Sequence, residues 1–339
     1  MLRKFVTMFA AIGLVTGFAG AADAATTFKI GTLAPQDSPW GKEFRRWGNE
    51  VSKDTNGELQ LDFQWNGQAG DDVVMIRKIR SGQLDGAAAA VVGLAETGVT
   101  DALIFGVPGM FSNWAKLDSV RNVLTPELNK QFEAKGFTVL GWGDVGASKM
   151  MSVGFEVHKP TDLQGKGCIF IAGDPVQSKF YAAIGGITPK QLSVSEILPA
   201  LTNGSVNVLP APPLVAEQFQ WASRVTHMST QTASFIIGAL IVSSQRLQGL
   251  PPNLRDVMLK HYGEMNERLT KSVRNNDAQA FARMKTTKVV YDPTDADRQA
   301  WTDVFVKLAS QLRGTVFSPA FFDKVVKLAD PPMKIPGVN

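Results

Sequence analysis

One cysteine, Cys168, and three histidines, His158, His227 and His261, occur in 339 residues. A single cysteine excludes an intramolecular disulfide, so the fold must rest on packing. Cys168 lies in the apolar run GCIFIAG, where a free thiol behaves as a small buried hydrophobe rather than a nucleophile. No histidine has a second histidine or cysteine at ligand spacing, so neither a zinc site nor a cofactor is expected. The chain also lacks a G-x-S-x-G elbow, a P-loop, and a G-x-G-x-x-G turn after a strand. An exported enzyme would need a nucleophile–base pair or a metal set, and neither is legible. The net charge of +4 is too small and too evenly spread to argue for nucleic acid or a membrane surface.

What is present begins with a short basic start, Arg3 and Lys4, and an apolar stretch from Phe5 to Ala22. Ala22-Asp23-Ala24 is a small-x-small site. This is the pattern of a secretory signal peptide (residues 1–24) cleaved near Ala24/Ala25, and it predicts an exported, periplasmic chain. Cleavage would leave 315 residues, enough for two domains, and a hydrophobic fraction of 44% supplies their cores.

Two segments of similar design follow. In the first, TTFKIGTLAP alternates as a strand and stops at a loop. Ser38 then caps a helix that gathers Trp40, Phe44, Trp47 and Val51 on one side. LQLDFQW reads as a strand, Asn66-Gly67-Gln68 as a turn, and DDVVMIRKIRSG as a helix. Asp71 and Asp72 complement the dipole at that helix start, a reading preferred over a paired-carboxylate site. A strand with four consecutive alanines, Ala87 to Ala90, comes next. This β-α-β-α-β order predicts a mostly parallel sheet with helices on both faces.

The second segment has strands at MMSVGFEV and CIFIAG, then the helices DPVQSKFYAAIGG, capped by Asp174, and SVSEILPALTNG, with Ser193 and Glu196 as a capping box. SVNVLPAPP, ending in Pro210 to Pro213, parallels the alanine strand: helix, glycine stop, strand of small residues. Small residues at strand ends let a ligand approach the backbone, or let a helix pack tightly. SFIIGALIVSS reads as a central strand. Residues 252–285 have helical periodicity long enough to run along two lobes.

The chain resembles the extracytoplasmic solute-binding subunit of TRAP (tripartite ATP-independent periplasmic) transporters. The resemblance is carried by FKIGTLAPQDSPWGKEF, WNGQAGDDVVMIRKIRSGQLDGAA, FGVPGMF, KGFTVLGWG, KPTDLQGKGCIFIAGDP and ALTNGSVNVLPAPP, in that order. It implies a periplasmic binding protein-like α/β fold: two lobes around a ligand cleft with a long helix spanning both. Residues 25–150 plus about 234–265 would form lobe 1, and 151–233 plus about 286–315 lobe 2. The helix 252–285 would join them, and 316–339 would pack on the lobes. The implied partners are a small-molecule ligand and the small and large integral membrane subunits of an ion-driven transporter, with no nucleic acid.

The departures from the family pattern bear on the ligand. Many members carry an arginine in the strand after the D-L-x-G turn that grips a substrate carboxylate with two prongs. The matching position here is Ile169. A second basic position falls on Ser148, beside Lys149, and the family's acid and amide fall on Pro210 and Ala211. A wall of Ile169, Phe170, Pro210, Pro212 and Pro213 predicts a neutral or partly apolar ligand. The alternative is a carboxylate held by Lys149 or another basic group. The remaining candidate ligand contacts are Ser38, Trp40, Asn66, Gln68, Ala89, Val91 and Trp221. Presentation of ligand to a sensor, rather than to a transporter, is an alternative role.

Overall fold

The computed structural model describes residues 25–338, so the signal-peptide segment lies outside the described residues. The chain opens with β1 (Thr26–Thr32), α1 (Pro39–Asp54), β2 (Leu59–Gln64), α2 (Asp72–Arg80), β3 (Gly86–Ala90) and the short α3 (Val91–Ala95). α4 (Trp114–Ala134) leads into the long β4 (Phe137–Ser152). Then come β5 (Ile169–Ile171), α5 (Pro175–Ile184), β6 (Lys190–Leu192), α6 (Val194–Thr202), β7 (Val208–Ala211) and α7 (Pro213–Gln218). The chain returns on β8 (His227–Ser243) and α8 (Ser244–Gln248). It finishes with α9 (Pro252–Lys285), β9 (Val289–Tyr291), α10 (Asp295–Leu312) and α11 (Pro319–Ala329).

The main sheet has the order β2-β1-β3-β8-β4-β7, with β9 beside β8. β1 is parallel to β2 and β3, as the β-α-β-α-β pattern predicts. The rest departs from a mostly parallel sheet, because β3–β8, β8–β4 and β4–β7 are antiparallel. The reason is that β4 and β8 are far longer than the strands read from the sequence. β8 pairs with β3 through Gly238 to Val242 and with β9 through His227 to Ser229, so one strand serves both lobes. β4 does the same, ending on β7. Register shifts between Asp144 and Gly146, and again around Lys149, bend this two-stranded ribbon where the lobes meet. The glycines that make the bend possible broke the hydrophobic pattern of β4 in the sequence. α4 has no counterpart among the elements expected from the sequence.

α9 spans the molecule, about 50 Å at 1.5 Å per residue. Its buried stripe (Leu254, Met258, Tyr262, Met265, Leu269, Val273, Ala280, Met284) advances by three, four or seven residues. At its start the Trp47 indole of α1 donates to the Met258 carbonyl at 3.1 Å. One turn on, Tyr262 donates to the Gly141 carbonyl of β4 at 3.1 Å. A Cβ on Gly141 would lie 2.9 Å from the Tyr262 ring, so only glycine lets helix and strand approach this closely. Farther along, Arg274 pairs with Asp144 of β4 and Asp118 of α4, at 2.6 and 2.7 Å. Burial opposes the Arg274 charge, but hydrogen bonds to these two carboxylates hold its pKa above the usual value. One turn on, the buried Asp277 carboxylate accepts the amides of Ala147 (β4) and Leu214 (α7), each at 3.0 Å.

Asp277 therefore accepts two amides at once, one from β4 and one from α7. Asp277→Ala should lower the unfolding free energy by about 3 kcal/mol, the sum expected when two amides, one buried and one part-buried, lose this acceptor. Urea unfolding followed by circular dichroism measures this, and Asp277→Asn, which keeps an acceptor, should lose less.

Candidate functional site

A cavity of about 350 Å³ lies between the lobes, in the size range of small-molecule sites. Its first wall is the end of β1, the side chains of Trp40 and Phe44 from α1, and Ala88 to Val92 of β3 and α3. Across from it stand Ile169 and Ile171 of β5, Gln177 and Phe180 of α5, Leu209 to Pro212 at the end of β7, and Trp221. β4 and β8 form the floor with Gly143, Ser148, Met150, Ala233 to Ile236 and Gly238 to Leu240, and α9 contributes Tyr262, Asn266 and Leu269. The alanine strand is thus a cavity wall. Its small side chains, opposite Gly238 and Ala239 of β8, leave space that valine or isoleucine would fill.

Of the candidate contacts read from the sequence, Trp40, Ala89, Val91, Ser148, Ile169, Pro210, Pro212 and Trp221 line this cavity. Trp40 is aimed by an indole hydrogen bond to the Asp144 carbonyl at 3.2 Å. Trp221 stacks on Phe219, another lining residue, with centroids 5.2 Å apart. Gly146, with φ +153°, lets Pro212 close in, since a Cβ there would stand 2.5 Å from the proline ring.

The other six candidates lie elsewhere. Phe170 alternates with Ile169 and Ile171, so its ring leaves the opposite face of β5. Lys149 alternates with Ser148 in the same way. Its ammonium bonds the Thr230 carbonyl and the Thr232 hydroxyl (2.9 Å) and sits 4.9 Å from the centre of the Phe281 ring. Burial lowers its pKa to about 8. Ser38 is spent as the α1 cap, accepting the Gly41 amide and donating to the Pro35 carbonyl. Asn66 and Gln68 belong to a left-handed turn whose backbone ties to β1, outside the cavity lining. Pro213 starts α7 behind Pro212.

Among the described lining residues none is lysine, arginine or histidine, whereas Asp72, Asp144 and Asp174 are present. Asp144 is neutralised by Arg121 (2.7 Å) and Arg274 (2.6 Å). Asp174 caps α5 through the Val176 and Gln177 amides. Its burial still raises its pKa against those two bonds. Asp72 is pushed up to about 7 by burial, which outweighs the Ala90 amide beside it. Sequence reading placed Asp72 only at a helix start. Asn266, Gln177 and Asp174 at the cavity had no sequence signal, because their position depends on how α9 and α5 dock.

The lobes also touch. Asp71 begins α2 but makes no capping bond there. Its carboxylate instead faces the Val194 amide at the start of α6 in the other lobe, which moderates the rise that burial causes in its pKa. Nearby, a Cβ on Gly173 would stand 3.3 Å from Val73. No described helix is long and apolar enough to cross a membrane.

The family model of the bacterial extracellular solute-binding proteins, family 7, matches residues 30–313. The C4-dicarboxylate-binding periplasmic protein of Rhodobacter capsulatus is 24% identical over 84% of this chain and 85% of its own. The 2,3-diketo-L-gulonate-binding periplasmic protein of Escherichia coli is 22% identical over 92% and 94%. Among solved structures, the sugar acid binding protein of Advenella mimigardefordensis, in complex with galactonate, superposes with a TM-score of 0.83 at 18% identity. That match covers 90% of this chain and 98% of the other. A TRAP solute-binding protein of Sulfurospirillum deleyianum with bound succinate gives 0.81 at 20% identity, covering 88% and 97%. These relatives are binding proteins, not enzymes.

Asp72 provides a pH test of the cavity. Its folded pKa of about 7 exceeds the ordinary 3.8, so the folded state binds the proton more tightly. Ionisation then erodes stability as pH rises from about 4 to about 7, and the loss is complete above that. Asp72→Asn should raise Tm by about 2–5 °C at pH 8 and by little at pH 4, read by thermal unfolding across that range.

Proposed function

We propose, for a chain that belongs to the bacterial extracellular solute-binding proteins of family 7, that it captures a neutral or substantially apolar solute in the periplasm. Closure of the two lobes would hold the solute, and the protein would deliver it to the small and large membrane subunits of a TRAP-type transporter. The observation that carries the ligand class is the lining. It has no cationic side chain among the described residues, and it has two carboxyl groups, Asp72 and Asp174, whose pKa values are raised by burial. A buried carboxylate ligand would meet these acids without a guanidinium to offset them, at a cost of several kcal/mol. A neutral solute meets instead a protonatable Asp72 that can donate a hydrogen bond. The amides of Gln177 and Asn266, the Ser148 hydroxyl and the aromatic faces of Trp40, Phe180 and Trp221 are close by. Lobe closure stabilises the complex because the solute gains contacts from both walls only in the closed form.

A second reading, a small carboxylic acid, is favoured by the ligands for which the relatives are named. It would need neutral donors such as Ser148 and Gln177 in place of an arginine, since Lys149 faces away from the cavity.

Mass spectrometry of the molecule released on denaturing the exported protein decides between them. A neutral or lipid-like molecule is expected, and a small carboxylic acid would overturn the proposal. Restoring the guanidinium is the converse experiment. Ile169→Arg should gain at least about tenfold in affinity for succinate by calorimetry, one bidentate pair being worth a kcal/mol or more in a dry pocket. Equal succinate binding by the unaltered protein would point the same way as a co-purified acid.

A further inference from the structure

Outside the cavity, one cluster of titratable groups lies where α1 crosses the first third of α9. Glu50 and Asp54 are one turn apart on α1, and His261 and Glu264 are one turn apart on α9. The His261 side chain is only 9% exposed. Its Nε2 stands 2.8 Å from the Asp54 carboxylate. A carboxylate in that place accepts the Nε2–H, so Nδ1 is the nitrogen that a metal would take. Nδ1 faces the Oε2 atoms of Glu264 at 3.4 Å and of Glu50 at 3.8 Å. Nδ1, the Glu50 Oε2 and the Arg268 Nη2 that stands 3.5 Å from that oxygen are all shut off from solvent, and none has a hydrogen-bond partner in the protein. Buried polar atoms so close and unpaired are unfavourable, and either a proton on Nδ1 or a metal cation would join them.

We propose that Glu50, His261 and Glu264 bind a zinc ion, with Asp54 orienting the imidazole. The distances suit it. Zinc holds nitrogen and oxygen at about 2.0–2.2 Å, which sets neighbouring ligands of a tetrahedron about 3.4 Å apart. The three donor atoms lie within 4.8 Å of one another, and the half-exposed Glu264 can rotate to close the remaining gap. An imidazole among carboxylates selects zinc over calcium or magnesium, which take oxygen ligands.

The local charge also suits a divalent ion. Arg46 occupies the other oxygen of Glu50 at 2.8 Å. Arg268 is held by Glu43 at 3.0 Å and stands 3.5 Å from Glu50, where it is the group that zinc must displace. These two arginines face four carboxylates, Glu43, Glu50, Asp54 and Glu264, while Lys53 and Lys260 act on Asp54 from outside. The site would staple α1 to α9 without touching the cavity, so its role is to stiffen the first lobe against the long helix rather than to hold solute.

Titration of zinc chloride into tag-free protein at pH 7.5, by calorimetry and thermal unfolding, tests this. One zinc per chain and a Tm raised by a few °C are expected. Glu264→Gln, at an exposed position, should fold normally, lose affinity at least tenfold and abolish the Tm gain. Asp54→Asn should lose about tenfold as an orienting partner, and His261→Asn should lose all specific binding. His158→Asn and His227→Asn should bind as the unaltered protein does, and solute affinity should be unchanged in all five. The proposal is overturned if zinc produces no saturable binding. It is also overturned if Glu264→Gln and His261→Asn bind zinc as tightly as before. A nitrogen-15 spectrum in which Nδ1 of His261 stays protonated at saturating zinc would overturn it as well.

Discussion

The two lobes are held in one frame by the polar side of α9. Asp277 and Arg274, one turn apart, reach β4, α4 and α7 through the buried amides of Ala147 and Leu214 and the carboxylates of Asp144 and Asp118. Hydrogen bonds of this kind add little net stability when made, but leaving their partners unpaired is expensive. The helix is therefore fixed in register as well as in place. Tyr262 and Asn266 reach the cavity because Arg274 and Asp277 pin the turns that follow them.

The same constraint shapes the cleft. β4 and β8 pass from one lobe to the other as a single antiparallel ribbon, kinked by the bulges near Gly146 and Lys149. Bulges shift which side chain faces which way. Ser148 faces the cavity, while Lys149 turns to the Phe281 side and loses proton affinity through burial. The bent ribbon supplies backbone and small side chains to the floor, and the proline and alanine segments supply the walls. The result is a pocket whose described lining residues include carboxylic acids and no lysine, arginine or histidine.

Much of this was legible in the residues. The caps at Ser38, Asp174 and Ser193, the helix at 252–285 and the alanine strand all followed from local chemistry, and the structure has each of them. The alternation of a short strand was not resolved in the reading, which put both Ile169 and Phe170 on one wall. In a strand, adjacent side chains face opposite ways, and only the docking of β5 beside β6 says which of the two faces inward. The extent of β4 and β8 was hidden for a different reason. A ribbon that serves two lobes must bend, and the glycines that bend it erase the period on which the reading depends.

By itself, the sequence determined the capped helices at 39–54, 175–184 and 194–202, the long helix at 252–285, the small-residue walls and the family to which the chain belongs, because these rest on contacts between residues close along the chain and on ordered motifs. Tertiary structure alone decided the antiparallel directions of β8, β4 and β7, the inward faces of β4 and β5, and the raised proton affinity of Asp72. It also decided the meeting of His261 with Glu50 and Asp54, more than 200 residues away. Burial and charge proximity are properties of space. No pattern along the chain contains them until helices such as α1 and α9 have crossed.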